Sequence, residues 1–406
     1  MPEFSNEQRK YIGLCPVDPQ WTRITFPKGL ICYFDQDIIR KALIQTVTSY
    51  AEFDTAITTR ERSKIISPGG KGKEKPISVI NISSYPGRTV SFGVDISPVD
   101  PLPEMAGNGE RPPAYQTYWS WKIGSQKADI ENNAPVFNGM QQLADFWQRL
   151  PQFIQGLPAD HLDRLAQLKE KKAGKIRPVK FRSGDFFAVP TRFSLYGDPV
   201  EYVFGRHLLN ISALRKREVV DKDHHWYDLM TVVQLVTLYD FRADSLVVDL
   251  LLLQQQKTLP AFYMMDDTLM RGQYPIIGHL PLEPAELNFP MHYGRYVASA
   301  RKGYYFGWGH AMVTDIPPIA ITVPEGVDLN IDFRNNGVSC GAPIDLLADF
   351  RNGLPPFYKY TDINHPDNLA IKTALFNSLA VPVNISYDDF CRQFGAKNRE
   401  ELLTLS

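Results

Sequence analysis

In the stretch TVSFGVDI, residues 89–96, apolar side chains fall at every second position: Val90, Phe92, Val94 and Ile96. A period of two places all four on one face of an extended chain. Ser91, Gly93 and Asp95 take the other face, so the segment reads as a strand buried on one side only. The segment YQTYWSWKI repeats the pattern, with Tyr115, Thr117, Trp119, Trp121 and Ile123 on one face. Just upstream, Tyr85-Pro86-Gly87-Arg88 suits a type II turn: proline fixes φ, and glycine accepts a positive φ. The 19 Tyr, 23 Phe and 31 Pro of the chain favour β-rich structure with many turns.

The remaining signals point to an α+β protein. Residues 35–50, DQDIIRKALIQTVTSY, carry Ile39, Leu43, Val47 and Tyr50 at helical spacing, with Asp35 or Asp37 as a cap, and predict a helix. A solvated Gly/Lys loop follows at 67–76. Residues 97–113, SPVDPLPEMAGNGERPP, have no periodicity, and long loops of this kind inside a domain tend to be functional or disordered. Leu143, Phe146, Trp147 and Leu150 mark the first of two helices within 139–173. From 176 to about 318 the pattern is β-dominated. Beyond it, VDLNIDF alternates as a strand, NLAIKTALFNSLA and SYDDFCRQFG read as helices, and NREELL reads as the start of one more turn. Ser386 with Asp389 forms the capping positions of the second, and Gly395 its stop. A chain of 406 residues has room for two or three domains. The expected division is an α+β domain at 1–135, a helical connector at 136–175, a β-rich domain at 176–318 and a strand with helices at 319–406.

Charge and hydropathy exclude several partner classes. The 44 basic and 45 acidic residues leave a net charge of -1, without the basic excess that nucleic acid or an anionic membrane requires. The beginning, MPEFSNEQRKYIG, has no apolar core of signal-peptide length, and DSLVVDLLLLQQQ is too short and interrupted to span a bilayer. The expected location is therefore the cytoplasm. Cys15, Cys32, Cys340 and Cys391 have no CxxC or metal-type spacing and read as reduced thiols. No cofactor motif is present, and the sequence leaves the oligomeric state open.

In the central region, Gly184-Asp185 opens a strand, FFAVP, expected to end at Pro190. A second strand, EYVFGRHL, returns beside it, with Gly205 as a bulge or a point of close contact. LMTVVQLVTLYDF, LPAFYMMDD and YPIIGHLPL give further strands, and the whole predicts a small barrel or a curled antiparallel sheet. The elements GDFFAVP, YVFGRHL and LPAFYMMDDTLMRGQYPIIGHLPL, in that order, resemble the immunity protein 26 family over roughly residues 176–315. That family comprises bacterial antitoxins of polymorphic toxin systems and is grouped with an organophosphate-hydrolysing phosphotriesterase. The resemblance implies neutralisation of a cognate toxin by tight binding. It places no catalytic residues on this chain.

The chemistry-bearing residues each have a bland alternative. In DKDHHWYDL, Asp223, His224, His225 and Asp228 are residue types that bind Zn²⁺ or Mn²⁺. A DHH tripeptide also marks a class of phosphoesterases, but the accompanying Asp motifs of that class are missing. Adjacent histidines on a strand would point to opposite faces, so the segment reads more simply as a polar loop. Asp266 and Asp267 suit a turn or the start of a short helix better than a general acid. His279, after Gly278, reads as a buried, hydrogen-bonded histidine. In RKGYYFGWGHAMV, Tyr304, Tyr305 and Trp308 belong to the core or, if exposed, to an interface, where Tyr and Trp dominate hot spots. Cys340 sits on a Gly-flanked turn without a nucleophile signature. The expectation is a toxin-binding immunity protein with contacts in the proline-rich loop, around Glu104, and at Tyr304, Tyr305 and Trp308. It carries no metal and no catalytic residue. The alternative is a metal-dependent hydrolase of phosphotriester type built on Asp223, His224 and His225.

Overall fold

The structure is a computed structural model. It describes residues 2–26, 29–58, 90–99, 114–123, 126–128, 135–170, 178–227, 232–295, 303–319, 338–356 and 362–406. The expected loop at 67–76, the turn at 85–88, the strand at 327–333 and residues 100–113 of the proline-rich loop, Glu104 among them, lie outside these. The chain divides into two compact units, residues 1–175 with 193–199, and residues 176–192 with 200–406. Among the described residues no helix is long and apolar enough to cross a membrane.

The first unit is an antiparallel sheet whose strands follow one another in chain order. They are β1 (Thr22–Thr25), β2 (Leu30–Asp35), β3 (Ile38–Gln45), β4 (Ser49–Thr58), β5 (Val90–Val99), β6 (Ala114–Ile123) and β7 (Gln126–Ala128). The alternating residues of β5 are all buried, as are Trp121 and Ile123 of β6. They pack under α1 (Asn6–Ile12), α2 (Leu143–Gln155) and α3 (His161–Glu170) in one aromatic-rich core. Leu143, Phe146 and Leu150 face inward from α2 at the predicted spacing.

The helix expected at 35–50 is not there. Gln36 and Asp37 form a turn, with Gln36 at φ +52°, and the chain folds back as β3 against both β2 and β4. The i, i+4 spacing of Ile39 and Leu43 is also an i, i+2, i+4 spacing whose middle member is Lys41. That lysine is fully buried because Glu52 and Asp54 of β4 neutralise it, at 2.8 and 2.5 Å. Asp35 caps no helix and instead pairs with Arg40 at 2.9 Å.

The second unit holds an open six-stranded sheet in the order β12-β8-β9-β10-β11-β16, not a closed barrel. Its strands are β8 (Asp185–Phe193), β9 (Pro199–Leu209), β10 (Val233–Ala243), β11 (Phe262–Met265), β12 (Ile276–His279) and β16 (Val338–Ser339). Strand β8 runs through Pro190. Its pairing with β12 ends at Phe187, so the proline's missing N–H takes no bond from that ladder. A three-stranded antiparallel sheet consists of β13 (Met291–Arg295), β14 (Tyr304–Trp308) and β15 (Ala311–Ile316). Three helices, α8 (Leu369–Ser378), α9 (Tyr387–Phe394) and α10 (Arg399–Leu405), share one core with Trp226, Phe306 and Trp308. In α9, Ser386 caps the Asp389 N–H and Gly395 ends the helix at φ +67°, as the sequence indicates.

Candidate functional site

The motifs read from the central sequence meet in space. Strand β12 pairs with β8 so that His279 lies opposite Asp185. His279 Nδ1 and Asp185 Oδ1 are 2.9 Å apart, and the second carboxylate oxygen accepts the Arg182 N–H at 2.8 Å. His279 is therefore hydrogen-bonded as expected but only half-buried. Gly184 stands at φ +92°, and a Cβ there would lie 2.4 Å from the Leu280 carbonyl oxygen. Only glycine allows β12 so close to the β8 turn.

Arg206 of β9 fastens the segment after β12. Its guanidinium is fully buried, ion-pairs with Glu286 and donates to the carbonyl oxygens of Leu280 at 3.1 Å and Pro281 at 2.7 Å. It also lies 4.8 Å above the Phe186 ring. A planar fork satisfies several acceptors at once, which suits arginine and not lysine. The Tyr239 hydroxyl is pushed up to about 12 by burial, against the pull of Arg206. Gly205 is a close-contact point: a Cβ there would meet Phe187 Cζ at 2.3 Å and the Thr237 carbonyl oxygen at 2.7 Å. The shared motifs thus build one braced corner of the sheet.

The Asp223-His224-His225 triplet is neither a polar loop nor part of a strand. Asp223 is exposed, while His224 and His225 turn inward where a bend leads into a 3₁₀ turn, His225–Tyr227. Their rings lie 4.3 Å apart, with His292 at 5.0 Å from His225 and His310 at 5.7 Å from His224. Four of the eight histidines are thereby gathered in the interior. A carbonyl can only accept, so the nitrogen facing one carries the proton. His224 Nε2 donates to the His310 carbonyl at 3.2 Å, His225 Nε2 to that of Gly309 at 2.9 Å, and His310 Nε2 to that of Val219 at 3.0 Å. The Nδ1 atoms of His224 and His310 accept backbone N–H groups from Trp226 and Lys397, each at 3.2 Å.

Burial holds these rings neutral. His224 is pushed down to about 3 by burial and by the neighbouring His310 and His292. Burial also drives His225 well below the ordinary histidine range, and it lowers His310. Both nitrogens of His224 and His310 are committed to the backbone, leaving no lone pair for an ion. Among the described residues no group of three or more His, Cys, Asp or Glu is placed to hold a metal. Asp228 lies outside them.

The aromatic segment is mostly core. Tyr305 and Trp308 are 3% and 8% exposed, which corrects the expectation that they anchor a partner. Strand β14 has helices on one side and the histidines on the other: Trp308 packs against Phe390 and Tyr387, and Tyr305 stacks on His225. Trp308 Nε1 donates to the Phe289 carbonyl at 3.1 Å. Tyr304 is half-buried and stacks on Tyr293. Asp266 and Asp267 begin the short helix α6 (Asp267–Met270) without a side-chain cap bond, and Cys340 is exposed (α4, Ile211–Lys216, and α5, Leu250–Gln254, precede it in the chain, and α7, Ile344–Arg351, follows it).

Sequence reading missed the exposed part of DSLVVDLLLLQQQ. Leu246, Val247, Leu251 and Leu252 all face solvent around α5. The signal was available: a single helical turn cannot turn four consecutive leucines toward one core.

No curated protein and no solved structure gives a significant match to the chain. Residues 182–304, which contain the braced corner and three of the four clustered histidines, match the family model of immunity protein 26, the family that their motifs resemble.

Proposed function

We propose that this chain is an immunity protein that binds a cognate bacterial toxin and neutralises it stoichiometrically, in the cytoplasm of the cell that carries both. The match of residues 182–304 to the immunity protein 26 family carries this reading. The hydrolase alternative gains nothing from the geometry, because Asp223 and the two histidines face different surroundings and the imidazole nitrogens of His224 are bound to backbone. Neutralisation at low toxin copy number needs nanomolar affinity, about 12 kcal/mol. An interface of roughly 1,600 Å² with a few well-packed anchors supplies that.

The test is co-expression with the toxin encoded beside this gene. Growth is expected to be rescued, and the two purified chains to form a complex of fixed stoichiometry. Rescue by catalytic turnover of a small phosphotriester, lost on His224→Ala without any complex, would overturn the reading.

A further inference from the structure

Residues 396–406 form a strap that carries little buried surface. Leu402 is the one buried residue of α10, with Leu403 and Leu405 partly buried against the same core. Gly395, at φ +67°, separates the strap from α9 and gives the chain a point about which it can turn. The strap keeps its own shape, because Asn398 and Glu401 form a capping box across the first turn of α10. At its far end Arg217 donates to the Leu405 carbonyl at 2.6 Å, and Ser406 Oγ meets Ser183 Oγ at 2.9 Å. In the middle Arg399 donates to the Leu287 carbonyl and pairs with Asp388, each at 2.6 Å. At the hinge end the Lys397 N–H donates to His310 Nδ1 at 3.2 Å, and the Lys397 carbonyl accepts the Tyr387 hydroxyl at 3.3 Å. Of these contacts, the one at His310 is made by the side-chain type that gains charge just below neutral pH.

We infer that His310 is an acid-sensitive latch on this strap: a proton taken up at Nδ1 releases Lys397, and residues 396–406 swing out about Gly395 while the sheets stay folded. The ring already donates from Nε2 to the Val219 carbonyl at 3.0 Å. A second proton turns Nδ1 from acceptor to donor and sets it against the Lys397 N–H. His310 is also the most exposed of the four clustered histidines. His224, His225 and His292 are 6%, 7% and 2% exposed, while His310 is half-buried, so solvent reaches the latch before the interior rings. The groups around the ring pull in both directions. Burial pushes its pKa down and Lys397 adds to that, while the Val219 carbonyl, Asp221 and Glu401 oppose it; the net direction is down. The neutral His224 ring, at 5.7 Å, and the Tyr387 hydroxyl, which accepts the His310 N–H at 3.1 Å, complete the surroundings. With the strap open, the ring binds a proton at about pH 6.5, as an ordinary histidine does. Closure is therefore favoured above that pH, and opening gains up to about tenfold for each unit below it, until the pKa of the closed form is reached.

Hydrogen exchange of the full chain tests the latch between pH 7 and pH 5, resolved by peptide and expressed as protection relative to the unstructured rate at each pH. At pH 7 the peptides covering 396–406 should be less protected than β9 and β10, the mark of an opening that does not need global unfolding. Their protection should fall about tenfold by pH 5. Asparagine at position 310 offers Lys397 an acceptor that takes up no proton. In His310→Asn the protection of 396–406 should therefore change by less than about threefold over the same range. Wild-type protection of 396–406 that stays constant from pH 7 to pH 5, or that equals that of β10 at both, overturns the inference. A pH response as steep in His310→Asn as in the wild type does so too; if that variant does not fold, the wild-type series decides alone.

Discussion

Gly205 and Arg206 are neighbours in β9 and do opposite jobs. At Gly205 the sheet needs an absent side chain, since the Phe187 ring and the Thr237 carbonyl occupy the place of a Cβ. The ring can tilt, but a backbone oxygen at 2.7 Å cannot move without disturbing β10. Gly205→Ala is therefore expected to cost on the order of 3 kcal/mol, read as a drop in urea midpoint with an unchanged slope. An unaltered midpoint would mean that the sheet is looser here than the geometry shows. Arg206 fills every acceptor its fork can reach: Glu286, two carbonyls and an aromatic face. Arg206→Met leaves the Glu286 carboxylate without its cation and two carbonyls without donors, at about 3–5 kcal/mol. Arg206→Lys keeps the charge and loses the fork, so it should recover only part of that. A lysine variant as stable as the wild type would show that charge alone holds the corner.

At the scale of elements, the histidine cluster joins three pieces of chain. The 224–227 turn bonds to the β14–β15 hairpin loop through the Gly309 and His310 carbonyls, and His310 bonds onward to Val219 and to Lys397 after α9. The bonds that His224 Nδ1 and His310 Nδ1 accept from the Trp226 and Lys397 N–H groups require neutral rings, so the junction is pH-sensitive. A histidine whose folded pKa is depressed loses stability as pH falls: the unfolded chain takes up its proton near 6.5, while folded His224 waits until about 3. Between those values the unfolded state binds more protons, and stability falls by about 1.4 kcal/mol per pH unit through the His224 ring. Urea unfolding from pH 7 to pH 4 should show this slope, and His224→Asn should be less stable at pH 7 but lose less on acidification. Equal slopes in the two proteins would mean that the ring is not held neutral. The same junction shows what a sequence can disclose. The doublet His224-His225 stands out at once, but His310, whose carbonyl fixes the first ring, is 86 residues away and carries no spacing signal. Strand β5 and helix α9 were legible because each has one buried face and, for α9, its own cap and stop. Strand β3 was not, because it is buried on both faces and one of its buried residues is a lysine. Polarity misleads wherever the neutralising partner comes from the next strand.

For the whole molecule, that lysine shows how stability is divided. The first unit carries its own buried charge network. Lys41 contacts Glu52 and Asp54, Arg9 of α1 holds Glu52 at 2.8 Å, and the Tyr50 hydroxyl donates to the same carboxylate. Burial alone would raise the pKa of Glu52, yet Lys41 and Arg9 bring it below the ordinary carboxylate value, so both carboxylate oxygens act as acceptors although the group is buried. The second unit has separate cores and the separate junction of neutral histidines. Two networks in two cores imply that damage to one is felt locally. Lys41→Met leaves Glu52 with Arg9 and takes from buried Asp54 the cation that pairs with it, and is expected to destabilise the first unit by about 3–5 kcal/mol. Hydrogen exchange resolved by peptide would then show faster exchange in β2 to β5 and unchanged protection in β9 and β10. Under the proposed immunity role, toxin affinity should stay at the wild-type value, since residues 182–304 apart from 193–199 lie in the second unit. Loss of protection in β9 and β10, or a matching loss of affinity, would show that the two units fold as one cooperative body and that binding draws on both.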